Sequence, residues 1–282
     1  MTNSLATGIG SLYIVATPIG NREDITLRAL EVLKSVNSIL AEDTRHSAPL
    51  LASLGIKNTL VSLHAHNEND KSQQIVEQLL AGKSIALISD AGTPLISDPG
   101  YLLVKLAREQ NIPVIPIPGA CALIAALCAA GVPCDSFLFS GFLPAKSHAR
   151  KAKFESLRKE TCTLVFYEST HRILECLDDL AEVYGQECEV VLAKELTKTF
   201  ERFINGTLLE VKNWLLEEPA HTKGEFVLII PPRPELPKQQ DYEELLSVLL
   251  EELPLKQAVA IACKISKANK NELYEMALRL KG

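Results

Sequence analysis

Carboxylates, imidazoles and amines recur in this chain just after short apolar runs. Glu42-Asp43-Thr44-Arg45 follows residues 38–41, and His64-Ala65-His66-Asn67-Glu68 follows 59–63. Ser89-Asp90-Ala91-Gly92 follows 85–88, Tyr167-Glu168-Ser169 follows 163–166, and Lys194-Glu195 follows 189–193. Two chemistries fit these residues. His64 and His66 with Asp43, Glu68 and Asp90 form a donor set for a metal-assisted hydrolase, since a His-x-His step on a strand turns both rings to one side. No further His or Cys stands at ligand spacing, and the same side chains serve equally as loop residues bonded to one another. The second chemistry is group transfer from a bound small molecule. Loops of Gly, Ala, Ser, Thr and Pro offer main-chain N–H and C=O groups to a bulky polar cofactor, leaving Arg45, Glu168, Lys194 and Glu195 to face a second substrate.

The elements that must carry these loops follow from the patterning. Residues 85–88 are apolar throughout rather than alternating, as in a strand buried on both faces of a parallel sheet. Open α/β sheets bind ligands beyond the carboxyl ends of their strands, which is where Asp90 falls. Gly92 permits positive φ or close backbone approach. Pro99 suits the first turn of a helix that Asp98 caps, so the stretch Asp98-Pro99-Gly100 is expected only to start that helix. Upstream, strands over 11–16, 38–41 and 59–63 alternate with helices over 26–36, 47–54 and 72–81. A helix over 99–110, a strand over 113–117 and an Ala-rich helix ending at Gly131 follow. Pro116 interrupts the strand over 113–117 and places it near an edge. This alternation is the signature of a largely parallel, two-sided sheet.

The hinge Gly131-Val132-Pro133 opens an α+β region. Strands are expected over 136–142, 163–166, 189–193 and 224–230. Residues 199–204 are read as a hairpin partner, with Asn205-Gly206 as the turn. A helix runs to about Tyr184 and another spans 207–216. The proline-rich stretch 231–237 reads as a stiff linker, and three short helices follow over 241–252, 255–265 and 269–280. The organisation expected is a flexible tail over 1–10, an α/β domain over 11–131, an α+β domain over 132–231, a linker over 232–240 and a helical appendage over 241–282.

Composition narrows the class further. Of 282 residues, 47% are hydrophobic, ample for a large core, yet no apolar run approaches the length of a membrane span. The amino terminus lacks the basic and apolar regions of a secretory signal. The seven cysteines are an odd number without a CxxC pair, and Cys121, Cys128, Cys162, Cys176 and Cys263, in apolar surroundings, read as reduced core residues of a cytosolic protein. A net charge of −6 excludes a generally basic nucleic-acid coat. Local basic patches remain at Lys146, His148, Arg150, Lys151, Lys153, Arg158 and Lys159, and again at Lys264, Lys267, Lys270, Arg279 and Lys281. There is no phosphate-binding Walker loop, no GxSxG elbow and no GxGxxG after a strand.

Nine segments carry a resemblance. TPIGN at 17–21, AEDTRH at 41–46, HxHNE at 64–68, SDAGTPLISDPG at 89–100 and PGACA at 118–122 are followed by GFLPAK at 141–146, FYESTHR at 166–172, ELTK at 195–198 and GEFVLI at 224–229. In this order they resemble the bacterial 16S rRNA (cytidine 2′-O-ribose) methyltransferases of the tetrapyrrole-methylase superfamily. The resemblance spans residues 11 to about 230 and continues more weakly through the terminal helices. It implies a two-domain α/β fold of the tetrapyrrole-methylase type (class III S-adenosylmethionine methyltransferases) with a small helical carboxyl-terminal appendage. It also implies a cytoplasmic homodimer without a metal, S-adenosyl-L-methionine as cofactor, and a decoding-centre cytidine of 16S rRNA in the small ribosomal subunit as substrate. By the same resemblance, the cofactor is held by Pro18 and Ile19, by Asp90, Ala91, Gly92 and Ile96, by Cys121 and Ala122, by Tyr167 and Glu168, and by Gly224, Glu225 and Phe226.

Methyl transfer from a sulfonium is an in-line displacement, so alignment supplies much of the rate, and a base or nearby cation assists the weakly acidic ribose hydroxyl. The candidates are His64, Asp43, Glu168 and Lys194. RNA phosphates would be met by Arg45, Lys146, Arg150, Lys151 and Arg172, which give affinity without sequence selection. A tetrapyrrole-type small-molecule methyltransferase on the same fold is the alternative, and a non-catalytic ribosome-binding module a further one.

Overall fold

The computed structural model describes residues 8–232, 239–266 and 268–281. The tail before Gly8 and the proline-rich stretch from Arg233 to Pro237 lie outside them. Among the described residues the chain forms two compact units, divided after Pro232.

The first unit contains two five-stranded sheets. Strands β1 (Leu12–Val15), β2 (Ser38–Ala41), β3 (Leu60–Ser62), β4 (Ile85–Leu87) and β5 (Val114–Ile117) make a parallel sheet in the order β3-β2-β4-β1-β5. The strands are apolar on both sides because both sides are covered. Helices α3 (Glu68–Leu80) and α4 (Tyr101–Glu109) bury Leu79 and Leu103 with Leu12, Leu40 and Leu87 on one face. Helices α1 (Leu27–Ser35) and α2 (Thr44–Ser53) bury Leu33 and Leu51 with Val15, Ile39 and Ile88 on the other. The Thr26 hydroxyl caps α1 by accepting the Ala29 N–H at 3.1 Å. Strand β5, with Pro116 in it, does lie at a sheet edge.

The second sheet combines β6 (Phe137–Phe142), β7 (Thr163–Ser169), β8 (Glu189–Lys194), β9 (Arg202–Thr207) and β10 (Glu225–Ile230) in the order β6-β7-β10-β8-β9. Only β6 and β7 run parallel; the other pairs are antiparallel. One face is covered by α6 (Ser147–Ser156), α7 (Ile173–Tyr184) and α8 (Leu208–Glu217) around Phe154, Phe166 and Leu228. The opposite face packs on α5 (Ala122–Ala129), whose Leu123, Ala126 and Leu127 meet Val165, Val191 and Ile229. The Ala-rich helix that follows the first sheet in sequence therefore packs on the second. Its other side is open, with Ile124 and Cys128 exposed.

The β8–β9 hairpin differs from expectation. Asn205 and Gly206 lie inside β9, paired with Val191 and Val190, and the turn falls at 195–201, where Glu195 (φ 50°) and Thr197 (φ 64°) are left-handed. A Cβ on Gly206 would meet the Glu210 carboxylate at 2.7 Å. That carboxylate completes a capping box with Thr207 at the start of α8, so Gly206 serves the cap rather than a turn. All seven cysteines are free thiols; Cys176 and Cys188 are buried, whereas Cys128, expected in the core, is exposed.

The second unit holds α9 (Gln239–Glu252), α10 (Leu255–Ser266) and α11 (Lys270–Lys281), packed around Leu246, Val259, Ala262, Leu273 and Ala277. The Asn269 side chain accepts the Asn271 N–H at 2.9 Å and so opens α11. No described helix is long and apolar enough to cross a membrane.

Candidate active site

The carboxyl end of β4 continues into a loop, residues 89–100, whose backbone is unusual. Thr17 and Gly92 exchange two main-chain hydrogen bonds of 2.8 and 3.0 Å, which tie the loop to the chain leaving β1. Gly92 has φ 84°, and a Cβ there would stand 3.2 Å from Ile19 Cγ2. Further along, Leu95 (φ 71°) and Ser97 (φ 72°) are left-handed without being glycine, a conformation that side chains disfavour and that persists where surrounding structure enforces it. Part of that enforcement comes from Glu68, whose Oε1 accepts the N–H groups of Gly100 (3.1 Å) and Leu102 (2.8 Å). The cap of α4 is thus a carboxylate from α3, not Asp98, and the residue at the N-cap position is Gly100.

Asp98 is thereby released from capping and lines a cavity of about 380 Å³, within the range of small-molecule sites. One wall comes from the first sheet: Ile19 after β1, Glu42 after β2, the loop from Asp90 to Asp98, and Cys121 and Ala122 at the start of α5. The other comes from the second: Phe142, Tyr167, Glu168, Ser169, Leu196, Glu225, Phe226 and Val227. Tyr167 joins the walls. Its hydroxyl accepts the Leu123 N–H at 3.0 Å, and its ring packs edge-on against Phe139 and Phe142 at 4.8 and 5.6 Å.

The electrostatics of the cavity are acidic. Burial, then the charge of Glu42, pushes the Asp98 carboxyl up to about 6. Glu42 is itself raised by burial and by Asp90. Glu168 is buried; its Oε1 accepts the Ser169 N–H at 2.8 Å, and its Oε2 lies 3.3 Å from the Arg172 guanidinium. Burial raises the Tyr167 hydroxyl as well, keeping it neutral.

Most of the residues expected to hold a cofactor come together here: Ile19, Asp90, Ala91, Gly92, Ile96, Cys121, Ala122, Tyr167, Glu168, Glu225 and Phe226 all line the cavity. Pro18 and Gly224 do not. Pro18 is buried behind Ile19, and Gly224 exchanges hydrogen bonds with the Thr170 hydroxyl at 2.7 Å on both N–H and C=O sides. The candidate bases fare differently. Glu168 lines the cavity; Asp43, His64 and Lys194 do not. Asp43 caps α2 and is clasped by Arg45 at 3.0 and 2.7 Å, which holds its carboxyl well below the usual range and unsuited to taking a proton. His64 lies on a turn leading into α3, not on a strand, with Nε2 3.1 Å from the Asn67 amide. Lys194 is buried at the end of β8, in register with Phe226 and Arg202.

The expected phosphate contacts also separate. Arg45 and Lys146 are exposed. Arg150 is fully buried, its guanidinium 2.6 Å from Asp179, so it is a core ion-pair residue and not an RNA contact. Lys151 pairs with Glu182 at 2.5 Å, and Arg172 donates to the Leu143 carbonyl while facing Glu168. Among the described residues, no group of three His, Cys, Asp or Glu side chains is arranged to hold a metal ion. Sequence reasoning missed Glu42, Asp98 and Phe142 as cavity residues. Glu42 and Asp98 stand in segments whose other members were singled out, and only the path of the loop turns them inward.

Comparison with known proteins agrees with this architecture. Residues 11–212 match the family of tetrapyrrole (corrin/porphyrin) methylases, and residues 237–281 match the RsmI C-terminal HTH domain. A Haemophilus influenzae protein named ribosomal RNA small subunit methyltransferase I is 53% identical over 95% of this chain and 96% of its own length. Its Escherichia coli O157:H7 namesake is 50% identical over 97% and 96%. Among solved structures, diphthine synthase aligns with a TM-score of 0.62 at 15% identity, covering 79% of this chain and 90% of its own. Uroporphyrin-III C-methyltransferase from Thermus thermophilus, complexed with S-adenyl homocysteine, aligns with a TM-score of 0.55 at 18% identity, covering 79% and 97%. At that identity these two share the fold alone. With two layered sheets, a cavity between their strand ends and relatives matched nearly end to end, this chain is a methyltransferase that belongs to the tetrapyrrole-methylase family, in its ribosomal RNA small subunit methyltransferase I branch.

Proposed function

We propose that the chain transfers a methyl group from S-adenosyl-L-methionine to the ribose 2′-hydroxyl of a decoding-centre cytidine in 16S rRNA, acting as a cytoplasmic homodimer on the small ribosomal subunit. The observation that carries this reading is the cavity itself. It offers main chain at Asp90, Ala91 and Cys121, apolar side chains from Ile19, Ile96, Leu196 and Phe226, and carboxylates from Glu42, Asp90 and Glu168. Apolar walls suit an adenine ring, main-chain groups suit its edge and the ribose, and carboxylates suit the amino group and sulfonium of the cofactor. Ala91, Gly92 and Ala122 let the backbone come close; a side chain at Gly92 would crowd Ile19. The cofactor, when bound, supplies an electrophilic methyl group. The chain's own task is then to align the hydroxyl with it, exclude water and take a proton.

The RNA is met in this reading by exposed basic residues, of which Arg45 stands near the cavity mouth through its neighbour Asp43, hydrogen-bonded to Asp90. Large exposed apolar side chains on the first unit, Leu27, Tyr101, Ile124 and Phe200, are surface that self-association would cover. A small-molecule substrate is disfavoured because relatives about half identical to this chain along its length are named for ribosomal RNA. The test is mass spectrometry of small-subunit RNA incubated with the purified chain and S-adenosyl-L-methionine. One added ribose methyl on a decoding-centre cytidine is expected; no methylation, or a base methyl, would overturn the reading.

A further inference from the structure

We propose that Asp98 takes the proton of the attacking ribose hydroxyl, an inference that rests on the function just given. Asp98 lines the cavity from the loop that follows β4. It interacts with Glu42 and Asp90 from the strand ends of the first sheet and with Tyr167 from β7 of the second. The other carboxylates there are occupied. Asp90 gives Oδ1 to the Asp43 N–H at 3.2 Å and sets Oδ2 3.5 Å from His46 Nδ1. Glu168 is engaged by Ser169 and Arg172, and Glu225 pairs with Lys198 at 2.8 Å. Glu42 keeps to the first wall, beside His64, Asp43 and Asp90. Asp98 is met by the Ser89 hydroxyl, whose one proton is shared with the carbonyls of Ala91 and Gly92 at 3.3 Å each. Its lone pairs are therefore open to a substrate donor.

The environment gives this carboxylate the basicity the role needs. Burial and the charges of Glu42 and Asp90 outweigh the Ser89 hydrogen bond and bring its pKa to about 6, close to the working range of a general base. On the α4 side of the loop, Glu68 is spent on the N–H groups of Gly100 and Leu102 and adds no proton donor. The step balances. A lone pair of the hydroxyl oxygen forms the new oxygen–methyl bond, the electron pair of the sulfur–methyl bond stays on sulfur as a neutral thioether, and Asp98 accepts the hydroxyl proton and passes it to water. A cation and an anion disappear together, which a poorly solvated cavity favours.

The test compares the unaltered chain with D98N and D98E. S-adenosylhomocysteine binding is followed by calorimetry, and single-turnover methylation of small-subunit RNA is measured from pH 5 to 9. For D98N, cofactor-product affinity within about threefold of the unaltered chain is expected, a rate lower by about 10²–10⁴-fold, and loss of the rise in rate with pH seen below neutrality. D98E is expected to recover part of the rate and the pH limb. Transfer by D98N at an undiminished rate, an unchanged pH limb, or loss of S-adenosylhomocysteine binding in D98N would overturn the assignment. Absence of transfer by the unaltered chain would instead sink the reading of function beneath it. Carboxyl-carbon magnetic resonance of the ligand-free chain is a further check: an Asp98 midpoint near 4, the ordinary value, would overturn the proposal whatever the variants do.

Discussion

A carboxylate pushed into a poorly solvated loop beside two others is costly when ionised, and Asp98 carries that cost above neutrality. Its folded-state pKa, about 6, lies above the value expected in the unfolded chain. The folded state therefore binds the proton more tightly, and the linkage runs in one direction. The stabilisation is fully present below the unfolded pKa and is lost as pH rises through the folded one. Removing the charge with D98N is expected to raise the melting temperature at pH 8 and to leave it nearly unchanged at about pH 3, below the unfolded value, as scanning calorimetry would record. Equal shifts at both pH values, or a loss at pH 8, would contradict this. Asp43 shows the opposite design. Two hydrogen bonds from Arg45 and its position at the start of α2 keep it ionised, which makes it an anchor for the strand-end loop rather than a participant in proton transfer.

At the scale of elements, the basic run that looked like an RNA surface splits across the two sides of α6. Arg150 points inward to Asp179 on α7 and toward the carbonyls of Pro144 and Ala145, while Ser147 donates to the same carboxylate at 2.7 Å. Arg172 reaches the Leu143 carbonyl from the start of α7. The buried guanidinium of Arg150 and the half-buried one of Arg172 thus hold the segment after β6. Breaking a buried pair leaves a charge without its partner, so R150A is expected to lower unfolding free energy by about 3–5 kcal/mol, measured by urea denaturation. A loss below about 1 kcal/mol would show that water replaces the arginine. Exposed neighbours such as Lys159 are free of this constraint.

For the whole molecule, every residue lining the cavity belongs to the unit that ends at Pro232, and each unit has its own apolar core. A chain ending at Pro232 is therefore expected to unfold cooperatively and to bind S-adenosylhomocysteine within about threefold of the full chain by calorimetry. Loss of binding would mean that the terminal helices complete the site. The family matches follow the same division, one over 11–212 and the other over 237–281.

Local patterning in the sequence was sufficient for the alternating strands and helices of the first sheet, the edge position of β5, the three terminal helices and the convergence of strand-end loops on one site. Those features depend on periodicity, capping and turn chemistry within a few residues, and the order of the motifs pointed to the family. Only tertiary structure decided which polar residues face the cavity. Asp98 lost the α4 cap to Glu68, thirty residues earlier in the chain. Asn205-Gly206, a turn by its dipeptide, was drawn into β9 by pairing with β8. Arg150 was turned into the core by Asp179, and the Ala-rich α5 packed on a sheet whose strands come after it. In each case a partner distant in sequence competes with a local preference worth about 1 kcal/mol, and burying or pairing the group outweighs it.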